Sequence, residues 1–261
     1  MIFYGAVFCL GAAFGSFLGV CIYRLPSNQS IISPASFCPA CSKPIQWYDN
    51  IPILSFVFLK AKCRYCRAPM PWSDWWVEIA HTLLYLVMAV KLNKLPQTFF
   101  RIKLETGIFS FIFVSFLVLI SVIDLKHGLI LDKITLPFFV FFLASSFLNP
   151  LNEGFLGALE GAVFGGGFLA LLAYLSHGGI GGGDIKFGLC LGSFLGWRVI
   201  IALAIAFIIG SLVAIILLSF GLKTRKDLIP FGPFLAVGSF IVLLWRQELT
   251  VFFRNFLFSM G

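Results

Sequence analysis

Charged side chains are scarce in this sequence. Only 11% of its 261 residues are Asp, Glu, Lys or Arg, whereas a soluble domain of this size carries roughly 25%. The chain is instead 60% hydrophobic, with 32 phenylalanines, and its mean hydropathy is +1.00. This composition excludes an ordinary soluble globule and predicts an integral membrane protein with several spans.

Two familiar motifs are also missing. No basic residue precedes the first apolar run, and Arg24 follows it, which is the reverse of the order in a secretory signal peptide. We therefore interpret this run as a permanent first span. The sequence also lacks the glycine-rich loop of soluble dinucleotide-binding proteins, so no cofactor site can be assigned from such a motif.

Eight apolar runs predict an all-α polytopic membrane fold with about eight transmembrane helices. They cover about 2–22, 78–95, 107–123, 134–148, 155–176, 185–197, 199–220 and 231–245. The fourth and the sixth are short for a hydrocarbon core of about 30 Å, which needs about 20 helical residues. Glycines four residues apart in the first and fifth runs predict close helix packing. These are Gly11, Gly15 and Gly19, and Gly157, Gly161 and Gly165.

The basic residues predict the orientation of the chain. With the N-terminus outside the cytoplasm, 12 of the 19 Lys and Arg residues fall in cytoplasmic segments, as the positive-inside rule requires. The net charge of +8 is therefore a topology signal, and we expect lipid contact and no nucleic-acid partner. The predicted organisation is a first transmembrane helix (1–23), a cytoplasmic loop (24–77), and a core of about seven helices (78–261) ending in an interfacial tail.

Four of the seven cysteines form two CxxC pairs in the loop 24–77. The pairs are "CPAC" (Cys38, Cys41) and "CRYC" (Cys63, Cys66), with 21 residues between them. This spacing predicts a tetrahedral zinc site with four protein ligands, and therefore a structural metal. Disulfides are the alternative, but they are rare in the reducing cytoplasm. The other three cysteines lie in apolar runs and are interpreted as packed side chains: Cys9, Cys21 and Cys190.

Two carboxylates at the edges of apolar runs are the main catalytic candidates. Asp124 ends the third run in "LVLISVIDLKHG", and Asp184 follows the glycines of "GGIGGGDIK". The predicted topology returns both to the cytoplasmic face, so they are able to meet. Paired carboxylates perform the acid–base work of aspartic proteases, and neighbouring glycines would let a substrate backbone approach. Helix capping by Asp184 and interfacial anchoring by Asp124 are the structural alternatives.

Other polar residues near the membrane also have predicted roles. Asp132 in "LDKIT" is predicted to cap the fourth span, with support of Asp124 as a second role. Glu160 lies within the fifth run, where a carboxylate needs a polar partner or a water-filled cavity. His127 and His177 flank the two aspartates and are interpreted as solvated loop residues.

Five sequence blocks, taken in order, resemble the type IV prepilin peptidase family. They are "GSFLGVCIYRLP", "FCPACSKPIQWYDNIPILSFVFLKAKCRYC", "IDLKHGLILDKITLP", "GGGDIKFGLCLGSFLGW" and "IPFGPFLAVG". The resemblance covers nearly the whole chain. It implies a bifunctional leader peptidase and N-methyltransferase of type IV pilus and type II secretion systems, located in the bacterial inner membrane.

The resemblance also implies roles for individual residues. Asp124 and Asp184 take the places of the family's two catalytic aspartates, and the four CxxC cysteines match its zinc-binding loop, the expected methyltransferase region. The implied substrates are type IV prepilins or pseudopilins, cleaved after the glycine that ends a basic leader. The new N-terminal amine would then be methylated by S-adenosylmethionine. The expected motif and substrate-binding residues are Gly181, Gly183, Lys186 and Asp132.

Two other functions are compatible with the residues alone. A transporter would use the same carboxylates to relay protons, but such proteins often repeat their architecture with broken helices in both halves, and the sequence shows no such symmetry. A membrane scaffold tied by zinc would leave the aspartates at the membrane edge without a role.

Overall fold

Helices account for the regular structure of the described part of the chain. A computed structural model describes residues 2–94, 100–151, 153–177, 179–224, 227–249 and 251–252, with the backbone alone at 100–103. Over these residues it contains helices and two isolated β-bridges, and no strand. The predicted all-α class is therefore confirmed.

Eight of the nine named α-helices coincide with the predicted apolar runs, and residues 246–249 and 251–252 are also helical. The short α2 was not predicted and lies in the loop between the first two runs. In chain order the helices are α1 (Ile2–Arg24), α2 (Leu54–Phe58), α3 (Trp72–Asn93), α4 (Phe100–His127), α5 (Asp132–Ser145), α6 (Gly154–Leu175), α7 (Gly182–Leu195), α8 (Val199–Ser219) and α9 (Gly232–Leu244).

Length and composition allow five helical stretches of the described residues to cross a membrane. They are Ile2–Arg24, Trp72–Asn93, Leu104–His127, Gly154–Leu175 and Gly182–Ser219, the last of which joins α7 and α8. The two runs that looked short in the sequence form α5 and α7, with 14 residues each, or about 21 Å of helix. The chain is thus a membrane protein, and the total of eight spans stays a prediction.

The chain divides into two compact units, Met1–Pro96 and Gln97–Gly261. In the first unit, α1 packs along α3 through its glycine row. A Cβ on Gly11 would lie 3.1 Å from Thr82 Cα, and one on Gly15 would lie 2.9 Å from Glu78 Cα. His81 is fully buried, and its Nδ1 lies 2.7 Å from the Gly11 carbonyl oxygen. The close packing predicted for this row is confirmed.

In the second unit, α6 and α7 meet backbone to backbone. A Cβ on Gly161 would collide with the carbonyl oxygen of Gly192, and one on Gly165 would collide with that of Gly188. The second predicted glycine row is therefore also a packing surface. Beside it, five fully buried phenylalanines fill the space between α4, α5 and α7. They are Phe113, Phe116, Phe142, Phe187 and Phe194.

The three cysteines of the apolar runs differ in burial. Cys21 and Cys190 are buried, as predicted, and the Cys190 thiol donates to the Thr135 carbonyl oxygen at 3.2 Å. The prediction was wrong for Cys9, which is exposed. Some residues used in the predictions lie outside the described ranges: Gly178 of the GGIGGGDIK stretch, Arg225 and Lys226 of the basic residues counted for the orientation, and the interfacial tail from 253 onward.

Candidate functional site

Asp124 is a buried carboxylate near the C-terminal end of α4. Only 5% of its surface is exposed, and the backbone amide of Gly232 donates a hydrogen bond of 2.9 Å to Asp124 Oδ2. Gly232 is the first residue of α9, and the first amides of a helix are free to bind an anion. Asp124 is therefore held by a second helix, which simple anchoring at the membrane surface would not require.

Asp184 lies in the first turn of α7 and is half-buried. The backbone amide of Gly181, the N-cap residue, binds its carboxylate. Helix capping was the structural alternative to a catalytic role for Asp184, and this contact is a capping bond of that kind. The charge of Asp124 also acts on Asp184. The fold thus places the two carboxylates within electrostatic range of each other.

The glycines before Asp184 have two different environments. A Cβ on Gly183 would lie 2.8 Å from the Cβ of Ile130, so this glycine is required for packing inside the protein. A Cβ on Gly182 would meet nothing within 4 Å, and one on Gly181 would meet only the Asp184 carboxylate. Open space beside the carboxylate is therefore found at Gly181 and Gly182.

Asp132 and Lys186 form an ion pair that links the N-terminal ends of α5 and α7. Lys186 Nζ lies 2.7 Å from both carboxylate oxygens of Asp132. The prediction that Asp132 caps the fourth span, which is α5, was wrong. Asp132 is the first residue of this helix and makes no side-chain capping bond. Its carboxylate binds the lysine instead.

The remaining polar candidates are exposed. His127 and His177 are exposed, as predicted, although His127 is the last residue of α4 and not a loop residue. Glu160 was expected to need a polar partner or a cavity, yet it lies on the exposed side of α6. None of these three residues belongs to the group formed by Asp124 and Asp184.

The four cysteines of the two CxxC pairs come together in the first unit. Their sulfur atoms all lie within 4.8 Å of one another, and those of Cys38 and Cys66 are 3.7 Å apart. A zinc ion with bonds of about 2.3 Å to four sulfurs places those sulfurs about 3.8 Å apart. The cluster therefore has the composition and nearly the size of a four-cysteine metal site.

The two CxxC pairs belong to one repeated turn, which the sequence did not reveal. In the first copy, the amide of Cys38 binds the Lys43 carbonyl and that of Ser42 binds the Cys38 carbonyl. In the second copy, the residues that lie 25 positions later in the chain form the same two hydrogen bonds. Only the two cysteines and a final proline are identical between the copies, so the repeat is detectable in the backbone and barely in the side chains.

Backbone amides in the second turn point at a cysteine sulfur. The amides of Cys66 and Tyr65 donate hydrogen bonds to Cys63 and lower the pKa of this thiol to about 6. A thiolate is the form that binds metal. The turn therefore favours the ligand form of Cys63 before any metal binds.

A cavity of about 700 Å³ lies in the first unit, between the loop and the facing ends of α1 and α3. Asp74, Trp75 and Glu78 of α3 contribute to its wall. The amide of Ile53 donates a hydrogen bond of 2.7 Å to Glu78 Oε2, and the Trp75 indole donates one of 3.3 Å to the Ile53 carbonyl oxygen. The loop is thus fastened to α3 at the cavity wall.

Sequence reasoning missed two contributors to these sites. Gly232 lies in "IPFGPFLAVG", where proline and glycine indicate the start of a helix, but no local signal names Asp124 as its partner. Ile53 contacts α3 with a φ of 64° and a ψ of −50°, and a β-branched residue seldom adopts a positive φ. Both contacts depend on tertiary structure.

Comparison with known proteins identifies the family. Residues 9–92 match the bacterial peptidase A24 N-terminal domain, and residues 111–218 match the type IV leader peptidase family. A prepilin leader peptidase/N-methyltransferase from Bacillus subtilis (strain 168) is 32% identical over 248 residues, which cover 95% of this chain and 96% of the relative. This chain belongs to the type IV leader peptidase family.

Two further relatives of this leader peptidase carry the same name. The one from Aeromonas salmonicida (strain A449) is 30% identical, with 95% of this chain and 93% of the relative covered. The one from Myxococcus xanthus (strain DK1622) is 34% identical, with 81% and 62% covered. No solved structure matches this leader peptidase chain. The resemblance seen in the five sequence blocks is confirmed.

Proposed function

We propose that this protein cleaves the leader from prepilins or pseudopilins at the cytoplasmic face of the bacterial inner membrane, with its N-terminus outside the cytoplasm. It then methylates the new N-terminal amine. The observation that supports the peptidase assignment is that the buried Asp124, held by Gly232, lies within electrostatic range of the half-buried Asp184. The names of the relatives support both activities.

The two aspartates supply the acid and the base of peptide hydrolysis. Two carboxylates held close together titrate as a pair and share a proton. One carboxylate removes a proton from water, whose oxygen then attacks the scissile carbonyl carbon. The other protonates the leaving amine as the C–N bond breaks, which balances the proton taken from water.

The leader segment approaches along the open backbone before α7. Gly181 and Gly182 leave space beside the Asp184 carboxylate, so an extended peptide backbone is able to lie there without meeting a side chain. The ion pair of Lys186 with Asp132 holds the start of α5 next to the start of α7, where Gly181 and Gly182 lie. These four residues therefore form the proposed substrate-binding edge of the peptidase site.

Exchange of each aspartate for asparagine tests the peptidase assignment. Asp124→Asn and Asp184→Asn should each abolish release of the leader from a purified prepilin, measured by mass spectrometry. The control is Glu160→Gln, which removes an exposed carboxylate of α6 and should leave cleavage intact. Cleavage by either asparagine variant at the wild-type rate would contradict the assignment.

The four-cysteine cluster binds one structural zinc ion. Cys38, Cys41, Cys63 and Cys66 would occupy all four positions of a tetrahedral ion, so no position is left for a substrate. The metal would tie the two repeated turns together and stabilise the loop, which has little core of its own.

The cavity of the first unit binds S-adenosylmethionine. Its volume of about 700 Å³ lies in the range of small-molecule sites. Asp74 and Glu78 place carboxylates in its wall, and Trp75 adds an aromatic ring. Carboxylates attract a sulfonium cation by charge, and aromatic faces attract cations. When bound, the cofactor supplies the methyl group, and the carboxylates hold its positive end.

Calorimetric titration of the purified protein with S-adenosylmethionine tests this site separately from cleavage. Glu78→Gln keeps an oxygen that accepts from the Ile53 amide but removes the charge. We expect it to weaken binding about tenfold, which corresponds to about 1.4 kcal/mol, while leader cleavage continues. Glu160→Gln is again the control. Unchanged affinity in the Glu78→Gln variant would place the cofactor elsewhere.

A further inference from the structure

We propose that α2 and the turn before it bind the surface of an anionic lipid bilayer. The α2 surface consists of exposed apolar side chains on this segment: Trp47, Ile51, Leu54, Val57 and Phe58. This assignment concerns how the loop is held at the membrane. It does not depend on the proposed catalytic or cofactor sites.

The segment before α2 is bound to the second turn of α3. Ile53, directly before α2, binds Glu78 and Trp75 through its backbone. Glu78 lies six residues inside α3, or about 9 Å along the helix axis from Trp72. Because Trp72–Asn93 is apolar and long enough to cross a membrane, α2 begins level with the second turn of a membrane helix.

Aromatic contacts hold the rest of α2 at the same level. The ring of Phe56 lies 4.9 Å from that of Trp72 and stacks on that of Trp75 at 5.2 Å, measured between centroids. These contacts align α2 with the first turn of α3. The segment is therefore fastened to α3 at Ile53 and at Phe56.

The outer side of α2 is strongly apolar. Leu54, Val57 and Phe58 are separated by three and four positions and so share one face of the helix. They are 50%, 58% and 79% exposed, while Ser55 is buried. Trp47, in the 3-10 turn Trp47–Asp49, is 80% exposed. Large apolar side chains exposed together on one short segment normally contact a partner or a membrane.

Neighbouring residues identify the bilayer as that partner. Trp72 and Trp76 of α3 are 58% and 57% exposed at the level of α2, and exposed tryptophans concentrate at the headgroup level of membranes. Lys60 and Lys62 follow α2 directly and are exposed. An apolar face with adjacent lysines is the combination that binds anionic lipid surfaces.

The backbone conformation of Ile53 indicates that contacts with α3 set the orientation of α2. Its φ of 64° and ψ of −50° are unfavourable for a β-branched side chain. The hydrogen bonds to Glu78 and Trp75 hold the residue in this conformation. The segment is therefore turned so that Ser55 faces inward and the apolar side chains face outward.

Photo-crosslinking in nanodiscs tests the α2 surface with the full chain. Benzoylphenylalanine in place of Phe58 is expected to give adducts with phosphatidylglycerol after irradiation, detected by mass spectrometry. The control replaces Ile32, which is 89% exposed in the same loop but lies far from α2 in the chain. We expect no lipid adduct at Ile32.

Three outcomes would overturn the proposal. They are the absence of a lipid adduct at Phe58, equal lipid adducts at Phe58 and Ile32, and an adduct of Phe58 with a second protein copy or an added prepilin. The role of charge is tested by the double variant Lys60→Glu, Lys62→Glu. In discs of phosphatidylglycerol it should lower the adduct yield at Phe58, and in discs of phosphatidylcholine it should leave the yield unchanged. An equal yield in phosphatidylglycerol discs would overturn the part assigned to the lysines.

Discussion

Gly232 donates its backbone N–H to Asp124 Oδ2 across 108 positions of sequence, at 2.9 Å. The contact makes the start of α9 part of the aspartate site. A Cβ at Gly232 would lie only 2.7 Å from the same oxygen. The glycine therefore serves both to donate the bond and to let the carboxylate come close.

Gly232→Ala should impair cleavage by displacing Asp124. The added methyl group has to push the carboxylate or α9 away, and a displacement of about 1 Å at a catalytic group is able to cost about 100-fold in rate. We expect kcat for a prepilin to fall by about that factor. Affinity for S-adenosylmethionine, measured by calorimetry, should not change.

Gly167→Ala is the matched control for this variant. Gly167 lies on α6, and a Cβ there meets nothing within 4 Å. The variant should therefore cleave a prepilin at the wild-type rate. Wild-type cleavage by Gly232→Ala would show that Asp124 tolerates the displacement.

Gly182 and Gly183 should respond differently to the same substitution. Gly183→Ala brings a methyl group within 2.8 Å of Ile130 Cβ, and overpacking of this kind costs about 1–3 kcal/mol. Gly182→Ala meets no protein atom and should leave the melting temperature unchanged, but it should raise KM for the prepilin. Thermal unfolding and steady-state cleavage distinguish the two, and equal effects would contradict the proposed division.

Loss of one cysteine ligand should release the metal. Elemental analysis of the purified wild type should give about one zinc per chain. Cys38→Ser and Cys63→Ser, one from each repeated turn, should each lose it. Cys9→Ser is the control because Cys9 is an exposed cysteine on α1. Full zinc content in either ligand variant would rule out the four-cysteine site.

The ion pair of Lys186 with Asp132 should contribute more to activity than to stability. Both side chains are about half exposed, and pairs of this kind stabilise a fold by about 0–1 kcal/mol. Lys186→Met and Asp132→Asn should therefore lower the unfolding temperature little while raising KM for the prepilin.

A charge swap checks that this effect comes from the ion pair. The double variant Lys186→Asp, Asp132→Lys should recover part of the loss in KM. The recovery should weaken in high salt because exposed charges are screened. Additive losses in the swapped variant would show that the two residues act independently.

Features written in short stretches of sequence were predictable. Apolar runs located the long helices, the two CxxC pairs indicated one metal cluster, and glycine rows indicated the helix contacts. Each of these patterns is local, or repeats at a helical period. Counting spans showed only that Asp124 and Asp184 are able to meet at one face.

Features that depend on tertiary contacts were not predictable. Three contacts join residues far apart in the chain: Gly232 with Asp124, Ile53 with Glu78, and Lys186 with Asp132. The capping prediction for Asp132 failed for this reason, because a lysine 54 positions away competes for the carboxylate. Local propensity is a weak guide where such a partner exists.

The contact of α6 with α7 has a consequence for how the peptidase site moves. Gly161 of α6 and Gly192 of α7 face each other and have no side chains. A shift between the two helices therefore cannot be accommodated there by a change of side-chain rotamer. Asp184, carried by α7, therefore moves together with α6 as one body. Asp124 lies on α4 and is linked to α9 by one hydrogen bond. A separation of the two carboxylates would then require α4 to shift relative to α6 and α7 together, against the stacking of Phe113 on Phe194.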